Sequence, residues 1–218
     1  VWDEQILQDI RARTAAAGVH LIADEVLTGF GRTGPLCACE RADVRPDLLC
    51  MSKGLTGGVL PLGATAATED IFDAFRSEDR TKTFFHGHSY TANPIACAAA
   101  LASLELFDNT RALETNASLA AHLSNAAQNA FEQHPNVAEI RQCGMILAVE
   151  FVRDRERREA FPWRERRHLQ IHRHALERGV LLRPLGNVIY FMPPYIVTPS
   201  EIELMVTVAR EGLDLAVA

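Results

Sequence analysis

The chain contains little lysine, little cysteine and no long apolar run. Lys53 and Lys82 are the only lysines among its 22 basic residues, and 28 acidic residues give the 218-residue chain a formal charge of −6. This acidic balance argues against nucleic acid or an anionic membrane surface as the main partner. No stretch approaches about eighteen uninterrupted apolar residues, and no charged-then-apolar leader opens the sequence. We therefore expect a cytoplasmic protein that does not span a membrane.

The cysteines are scattered and odd in number, at positions 37, 39, 50, 97 and 143. Disulfide-framework domains are shorter and denser in cysteine, so we interpret these residues as reduced, structural thiols. The cysteines at 37 and 39 are too close together for the usual zinc knuckle. The histidines at 86 and 88, and those at 168, 172 and 174, lack a carboxylate or cysteine that would complete a site. The sequence therefore predicts no bound metal.

The first half of the chain alternates predicted strands and helices, which indicates an α/β layer with a mostly parallel sheet over residues 1–107. Short apolar runs predict the strands, and apolar residues at helical spacing predict the helices. Ser89 is a candidate cap for the third helix. The predicted strands cover residues 19–23, 47–51, 62–68 and 83–85, and the predicted helices cover residues 3–17, 69–76 and 93–107.

Residues 108–218 predict a smaller α+β domain. Seven arginines and four acidic residues occupy residues 153–167, which indicates a solvated loop leading into a helix, with a docking patch as the alternative. Thr198 or Ser200 is expected to cap the last helix. The predicted helices cover residues 111–134 and 199–217, and the predicted strands cover 137–140, 145–152 and a pair at 181–183 and 188–192.

Polar residues follow three of the predicted strands, at Asp24-Glu25, Ser52-Lys53 and residues 86–89. Any one of them could be a solvated strand terminus, but ligands of open α/β sheets bind beyond the carboxyl ends of the strands. A partly desolvated lysine has a lowered pKa and can form a Schiff base, which is what we expect of Lys53. A buried Asp24 would need a cationic partner such as a pyridinium nitrogen. An aspartate and a lysine at strand ends are the minimal set for pyridoxal phosphate chemistry.

Four sequence blocks around these strand ends resemble the class III aminotransferases of pyridoxal-phosphate fold type I. They are LIADEV at 21–26, TGFGRTG at 28–34, PD at 46–47 and SKGLTGG at 52–58. The resemblance implies an α/β fold with part of the large cofactor domain followed by the small C-terminal domain. Two further blocks, at 84–94 and 183–195, resemble the members of the family that aminate 8-amino-7-oxononanoate in biotin biosynthesis.

The resemblance implies cofactor-binding roles for four residues. Asp24 would pair with the pyridine nitrogen of pyridoxal 5'-phosphate, and Lys53 would hold the cofactor and then move a proton between substrate and cofactor. The His88 backbone and the Ser89 hydroxyl would reach the cofactor phosphate of a neighbouring subunit. The expected partner is therefore a second copy of the chain, in a homodimer that shares its active sites.

The resemblance also implies a substrate site. Arg183 would hold the substrate carboxylate with its guanidinium fork, while Tyr190, Gly87 and Lys53 would line the same pocket. The implied reaction converts 8-amino-7-oxononanoate to 7,8-diaminononanoate, with S-adenosylmethionine or lysine as the amino donor. Many members of the family have Pro-Thr where this chain has His88-Ser89, which leaves the donor open.

The motifs match only the C-terminal half of the family's chain. The Gly-Ser phosphate cup and the aromatic residue that stacks on the cofactor are not found in these 218 residues, so we expect the isolated chain to be inactive. Two other interpretations stay open. One is another class III ω-aminotransferase, of the ornithine, γ-aminobutyrate or β-alanine type. The other is a non-catalytic fragment that serves as a binding or dimerisation module.

Overall fold

A computed structural model describes residues 3–218 of the chain. These residues form two compact units, which we call the N-terminal unit (residues 3–113) and the C-terminal unit (residues 114–218). Among the described residues, no helix is both long enough and apolar enough to cross a membrane. All five cysteines carry free thiols.

The N-terminal unit contains a three-stranded sheet with the strand order β1-β2-β3. The first two strands are parallel, with Ile22 opposite Leu48 and Asp24 opposite Cys50, whereas β3 runs antiparallel to β2. The two strands that lead to Asp24 and Lys53 are thus the parallel pair of this sheet. Its elements are α1 (Glu4–Ala16), β1 (Ile22–Asp24), β2 (Leu48–Met51), β3 (Ala64–Ala67), α2 (Glu69–Asp73) and α3 (Pro94–Asn109).

None of the residues of helix α1 is buried. The helix is attached to the rest of the unit through polar contacts. The Arg11 guanidinium donates to the Asp47 carboxylate at 2.7 Å, and the same carboxylate accepts the Leu21 backbone N–H at 2.7 Å. Gln8 adds a bond from its amide nitrogen to the Ala42 carbonyl. Asp47 therefore ties α1 to the segments that lead into β1 and β2.

Two local predictions for this unit are wrong. Residues 83–85 form no strand, and Phe84 and Phe85 are instead 65% and 85% exposed in a loop. A strand needs a neighbouring strand for its backbone hydrogen bonds, and none pairs with this segment in the described residues. The cap of α3 is Asn93, whose side-chain oxygen accepts the Ile95 N–H at 2.9 Å, and Ser89 lies in the preceding loop.

The C-terminal unit is an antiparallel three-stranded sheet with three helices. Strand β5 lies at the centre, with Val149 opposite Ile140 on one side and Ile189 on the other. Alternate residues of β5 are buried, so one face of the sheet points into the core. Its elements are α4 (Ala112–Phe131), β4 (Val137–Cys143), β5 (Ile146–Phe151), α5 (His168–Glu177), β6 (Val188–Phe191) and α6 (Pro199–Val217).

A large apolar core joins all these elements of the C-terminal unit. Phe131 of α4, Phe151 of β5, Ile171 of α5 and Leu213 of α6 are fully buried in it. Burial of a side chain of this size stabilises a fold by about 1.5–3 kcal/mol. The apolar faces of three helices and one sheet therefore close on one another.

Two buried histidines link α6 to its neighbours. His134 lies 2.9 Å from the Asp214 carboxylate, and His174 lies 3.0 Å from the Glu211 carboxylate. The other ring nitrogen of His134 accepts the Asn136 N–H, so its Nε2 carries the proton that Asp214 accepts. Hydrogen bonds thus satisfy these ring nitrogens within the core, which keeps their burial inexpensive.

Helix α6 begins with a capping box, in which the Thr198 hydroxyl accepts the Glu201 N–H and the Glu201 carboxylate accepts the Thr198 N–H. Thr198 rather than Ser200 is therefore the cap. The predicted strand at 181–183 is wrong, because the pairing before β6 is reduced to a bridge between Leu185 and Val188. The arginine-rich residues 153–167 form a loop that contains a short 3-10 turn, Trp163–Glu165.

Candidate active site

Asp24 and Lys53 emerge from adjacent parallel strands of the N-terminal unit. Asp24 is the last residue of β1 and is paired with Cys50, and Lys53 follows the end of β2. The carboxylate and the amine therefore belong to the same edge of the sheet, as expected from the sequence. Among the described residues, the Lys53 amine has neither a hydrogen-bond nor an ion-pair partner.

The expected burial of both residues is wrong, because Asp24 and Lys53 are each exposed. The buried acid is Glu25, at 2% exposed. Strand β1 extends to Asp24, one residue beyond the prediction, and successive side chains near a strand end point to opposite sides. Residues 3–218 thus leave the Lys53 side chain in contact with water.

The backbone at Lys53 is held in an unusual conformation. Its φ of +43° lies in the left-handed region, which costs a residue other than glycine on the order of 1–2 kcal/mol. Residues on three other segments fix the turn around it. The Ser52 hydroxyl donates to the Leu62 carbonyl at 2.6 Å, the Gly58 N–H donates to the Lys53 carbonyl, and the Ser103 hydroxyl of α3 donates to the Gly54 carbonyl.

Glu25 anchors the loop that follows β1. Its carboxylate accepts the Cys39 N–H at 2.8 Å and the Thr28 hydroxyl, and its own N–H donates to the Cys50 carbonyl on β2. Burial, and then the hydrogen bond and charge of Glu25, raise the pKa of the Cys39 thiol to about 12. Cys39 is therefore a protonated, structural thiol, as the cysteine pattern predicts.

A cleft of about 1230 Å³ opens on the N-terminal unit, between the sheet and the loop before α3. Leu48, Thr65 and Ala67 line it from β2 and β3, and Ser52 lines it from the turn before Lys53. From the other side, the cleft is lined by His86, Gly87, His88, Tyr90 and Thr91. Two of the predicted site residues, Gly87 and His88, therefore face the same cleft as the residue next to Lys53.

The loop that carries His88 and Ser89 is organised by its own hydrogen bonds. The His88 N–H donates to the Thr91 hydroxyl at 3.0 Å, and the His88 ring accepts the Tyr90 N–H at 3.1 Å. The backbone donor that was predicted to bind phosphate is thus engaged within its own turn. The exposed Ser89 hydroxyl has no partner in the described part of the chain.

The other two predicted site residues belong to the C-terminal unit. Arg183 is exposed, between the buried residues Leu182 and Pro184, and its guanidinium has no partner within residues 3–218. The Leu182 carbonyl lies 2.6 Å from the His172 ring, which ties this segment to α5. Tyr190 is half-buried on β6, opposite Ala148 of β5.

The residues at the edge of the N-terminal sheet fit the cofactor that the resemblance implies. An exposed carboxylate suits a protonated pyridine nitrogen, and an unpartnered amine suits an aldehyde carbon. The fit rests on the donor set and on the pairing of β1 with β2. No group of three or more histidine, cysteine, aspartate or glutamate side chains is arranged to hold a metal ion in residues 3–218.

Phe30 and Gly54 are residues of this site to which the sequence analysis gave no role. Both residues lie in glycine-containing sequence blocks, Phe30 in the block at 28–34 and Gly54 in the block at 52–58. These blocks do not reveal that Phe30 packs on Gly54.

Comparison with known proteins yields a family model and close relatives. The model of the class III aminotransferases matches residues 1–211. The adenosylmethionine-8-amino-7-oxononanoate aminotransferase of Synechococcus elongatus is 50% identical over 210 residues, which cover 96% of this chain and 48% of that protein. The chain therefore spans about half the length of the curated relatives it matches.

Solved structures show the same partial match. The adenosylmethionine-8-amino-7-oxononanoate aminotransferase of Methanocaldococcus jannaschii superposes with a TM-score of 0.89 at 33% identity, over 96% of this chain and 49% of that one. An (S)-enantioselective ω-transaminase from Thermomicrobium roseum gives a TM-score of 0.90 at 33% identity, over 97% of this chain and 46% of that one.

Proposed function

Because this chain belongs to the class III aminotransferases, whose cofactor is pyridoxal 5'-phosphate, we propose that it contributes the lysine-bearing half of an enzyme of biotin biosynthesis. The enzyme transfers an amino group to the ketone carbon of 8-amino-7-oxononanoate and so forms 7,8-diaminononanoate. S-adenosylmethionine or lysine is the amino donor, and the reaction takes place in the cytoplasm. The observation that carries the proposal is the emergence of Asp24 and Lys53 from adjacent parallel strands.

Asp24 and Lys53 have complementary tasks in this reaction. When bound, the cofactor supplies an electron sink for the substrate carbon that loses a proton. The Asp24 carboxylate, a negative charge at the strand end, stabilises a protonated ring nitrogen. The Lys53 amine would hold the cofactor through its aldehyde group with loss of water, and once released it would take a proton from one carbon and deliver it to another.

Arg183 and Tyr190 form the substrate side of the proposal. The Arg183 guanidinium, exposed and without a partner in the described residues, suits the carboxylate at the far end of the substrate. Tyr190 is half-buried, so its ring offers an apolar wall beside that charge. Gly87 lines the cleft of the N-terminal unit and leaves room for the substrate chain.

A second copy of the chain is the proposed partner. The Ser89 hydroxyl is exposed at the end of a loop and is free among the described residues, so it can donate to a phosphate held by the other copy. The His88 backbone is the second proposed contact with that phosphate, and in this chain its N–H donates to the Thr91 hydroxyl of the same turn. The active site is then shared across a homodimer.

A second candidate is another class III ω-aminotransferase. The structural likeness to the Thermomicrobium roseum ω-transaminase is as high as that to the 8-amino-7-oxononanoate enzyme of Methanocaldococcus jannaschii. The sequence likeness at 50% identity favours the biotin-pathway substrate. A non-catalytic dimerisation module stays the third interpretation, and it predicts no covalent cofactor binding.

The test of the cofactor role uses the two lysines of the chain. The 218-residue chain is incubated with pyridoxal 5'-phosphate, reduced with borohydride and digested, and the peptides that contain Lys53 and Lys82 are compared by mass spectrometry. We expect labelling at Lys53, its loss in Lys53→Ala and no change in Lys82→Ala. Labelling that favours Lys82, or that is equal at both lysines, contradicts the proposal.

The substrate is tested separately, by assaying 7,8-diaminononanoate formation from 8-amino-7-oxononanoate with each donor. The assay is run with the chain alone and with the full-length relative from Synechococcus elongatus carrying this chain in place of its matching half. We expect product from the chimera and none from the chain alone. A chimera that aminates other ω-keto substrates but forms no diamine favours the second candidate.

A further inference from the structure

The turn at Lys53 is packed against Phe30, a residue that has no role in the proposed reaction. Phe30 belongs to the loop after β1, and its side chain packs on the backbone of Gly54. A Cβ atom at Gly54 would lie 2.8 Å from the Phe30 Cβ and 2.9 Å from its Cδ2. Real side chains do not approach so closely, so the contact requires a glycine next to Lys53.

Phe30 is itself held firmly. It is 6% exposed and packs with Leu55, which follows Gly54, and with Ala100 of α3. Its N–H donates to the Leu36 carbonyl at 2.6 Å, and its ring lies 6.3 Å from that of Phe107. The ring is therefore a fixed surface against which the turn at Lys53 rests.

Gly54 does not need to be glycine for its backbone conformation, since the unusual positive φ belongs to Lys53. Lys53 is exposed, and its side chain makes no hydrogen bond or ion pair in the described residues that would hold this conformation. The restraint comes from its neighbours: the Phe30 ring on Gly54 and the Ser103 hydroxyl bonded to the Gly54 carbonyl.

We propose that Phe30 is a positioning residue for Lys53: its ring, seated on Gly54, holds the left-handed backbone turn from which the amine projects. This inference rests on the proposed function, because the amine needs a fixed position only if it carries chemistry. Phe30 touches neither substrate nor cofactor in this proposal, and it acts only through the turn.

The variants are Phe30→Ala, Gly54→Ala and the double variant, each in the full chain. Gly54→Ala forces the ring and the turn apart, and Phe30→Ala removes the ring. Two controls are matched to them. Gly63→Ala adds a Cβ that meets only the Met51 carbonyl at 3.8 Å, and Phe107→Leu replaces the neighbouring ring of the same apolar cluster while keeping the Phe30 ring and Gly54.

The first measurement is borohydride-trapped pyridoxal 5'-phosphate at Lys53 relative to Lys82. We expect Phe30→Ala and Gly54→Ala each to lower this ratio about tenfold or more, since misplacing a reacting group by about 1 Å can cost a hundredfold. The double variant should lose less than the product of the two single losses, because Phe30→Ala removes the ring atoms from the clash at residue 54 and leaves only the Cβ that lies 2.8 Å away. Strictly multiplicative losses, or equal losses in Phe107→Leu, overturn the inference.

The second measurement needs no cofactor. Reductive methylation with ¹³C-formaldehyde labels both lysines, and Lys82 serves as the internal reference in the NMR spectrum. We expect the Lys53 methyl signal to move in Phe30→Ala and Gly54→Ala and to stay in place in Gly63→Ala and Phe107→Leu. Variants that melt at lower temperature with an unmoved Lys53 signal assign Phe30 a purely structural role and overturn the inference.

The two measurements separate the inference from the function. If the parent chain traps no cofactor at Lys53, the proposed function fails, and the NMR comparison still decides whether Phe30 positions the turn. If the parent traps cofactor but the variants trap it equally well, the function stands and the inference fails.

Discussion

The two units bury their apolar residues to very different extents. The C-terminal unit closes a large core whose central side chains, such as Phe131 and Leu213, have no exposed surface. The buried cluster of the N-terminal unit consists of Phe30, Leu55 and Ala100 with a few half-buried neighbours. Lys53, the lysine proposed to carry the chemistry, therefore belongs to the unit with the smaller core.

Exposed apolar side chains mark the same difference. In the N-terminal unit, Ile22 of β1, Val59 and Ile95 of α3 are 62%, 75% and 70% exposed. Among residues 3–218, the C-terminal unit exposes fewer large apolar side chains, Leu181, Leu185 and Ile196 among them. The C-terminal unit is stabilised by its own residues, whereas the sheet edge that carries Asp24 and Lys53 relies on local hydrogen bonds and on one aromatic contact.

The largest test of this contrast compares two phenylalanines. Phe191 of β6 is 2% exposed in the large core, and Phe85 is 85% exposed in the N-terminal unit. We expect Phe191→Ala to lower the free energy of unfolding of the C-terminal unit by about 3–5 kcal/mol. Phe85→Ala should change stability by no more than about 0.5 kcal/mol. Urea unfolding followed by amide exchange in each unit measures both changes in the free energy of unfolding. Similar losses in the two variants would contradict the difference between the units.

Glu25 tests whether polar anchoring replaces a core in the N-terminal unit. Glu25→Gln puts an amide where the carboxylate accepts the Thr28 hydroxyl and the Cys39 N–H, so we expect a loss of about 1–3 kcal/mol in the unfolding of this unit. The pKa of the Cys39 thiol should fall from about 12, because Glu25 raises it. Thiol titration and urea unfolding check both effects. Glu69→Gln on α2 is the exposed control, and a matching loss there would refute the anchoring role.

The cap of α6 gives a smaller effect, in the C-terminal unit alone. Thr198→Ala removes the hydroxyl that accepts the Glu201 N–H, and we expect it to cost about 1 kcal/mol. Ser200→Ala is the matched control, with a change within about 0.5 kcal/mol. Thermal unfolding of the two variants decides between Thr198 and Ser200 as the cap, and equal shifts would count against the capping box.

The smallest expected effect is the acid sensitivity of α1. The hydrogen bond from Arg11, followed by the Leu21 N–H, holds the pKa of Asp47 below its usual value. Because the folded-state pKa is lowered, the stabilisation is complete above about pH 3.9 and is lost as the pH falls through the folded pKa. Amide exchange of α1 between neutral and strongly acidic pH should show this loss. Asp47→Asn should weaken the attachment at neutral pH and remove its pH dependence, and an unchanged pH profile would refute the assignment.

The sequence predicts the strands of both units well where an apolar run has a partner strand. It places Asp24 and Lys53 at neighbouring strand ends, and it predicts strands in the regions of β4 and β5. It fails at residues 83–85, where an aromatic pattern typical of strands has no strand beside it. Local composition carries no information about the neighbouring strand that a strand needs.

The direction of the side chains along β1 explains why the expected burial of Asp24 is wrong. Side chains alternate along β1, which places Asp24 on the exposed side and Glu25 on the buried side, and the apolar run at 19–23 does not reveal which side is covered. The Phe30–Gly54 contact was unpredictable for a related reason, since it joins segments whose separation in space depends on the whole sheet. The family motifs point to Lys53, whereas the contact that restrains its backbone follows from the fold of the sheet and the loop after β1.

The short third strand also bears on the behaviour of the chain in concentrated solution. All four residues of β3, Ala64–Ala67, are exposed, and they include neither a charge nor a proline. Among the described residues, β3 pairs with β2 on one side only, so its outer row of N–H and C=O groups can template another extended segment. Aggregation of this chain is therefore expected to begin at β3, the edge strand furthest from β1. The rate of aggregation should then limit the protein concentration that can be used in solution.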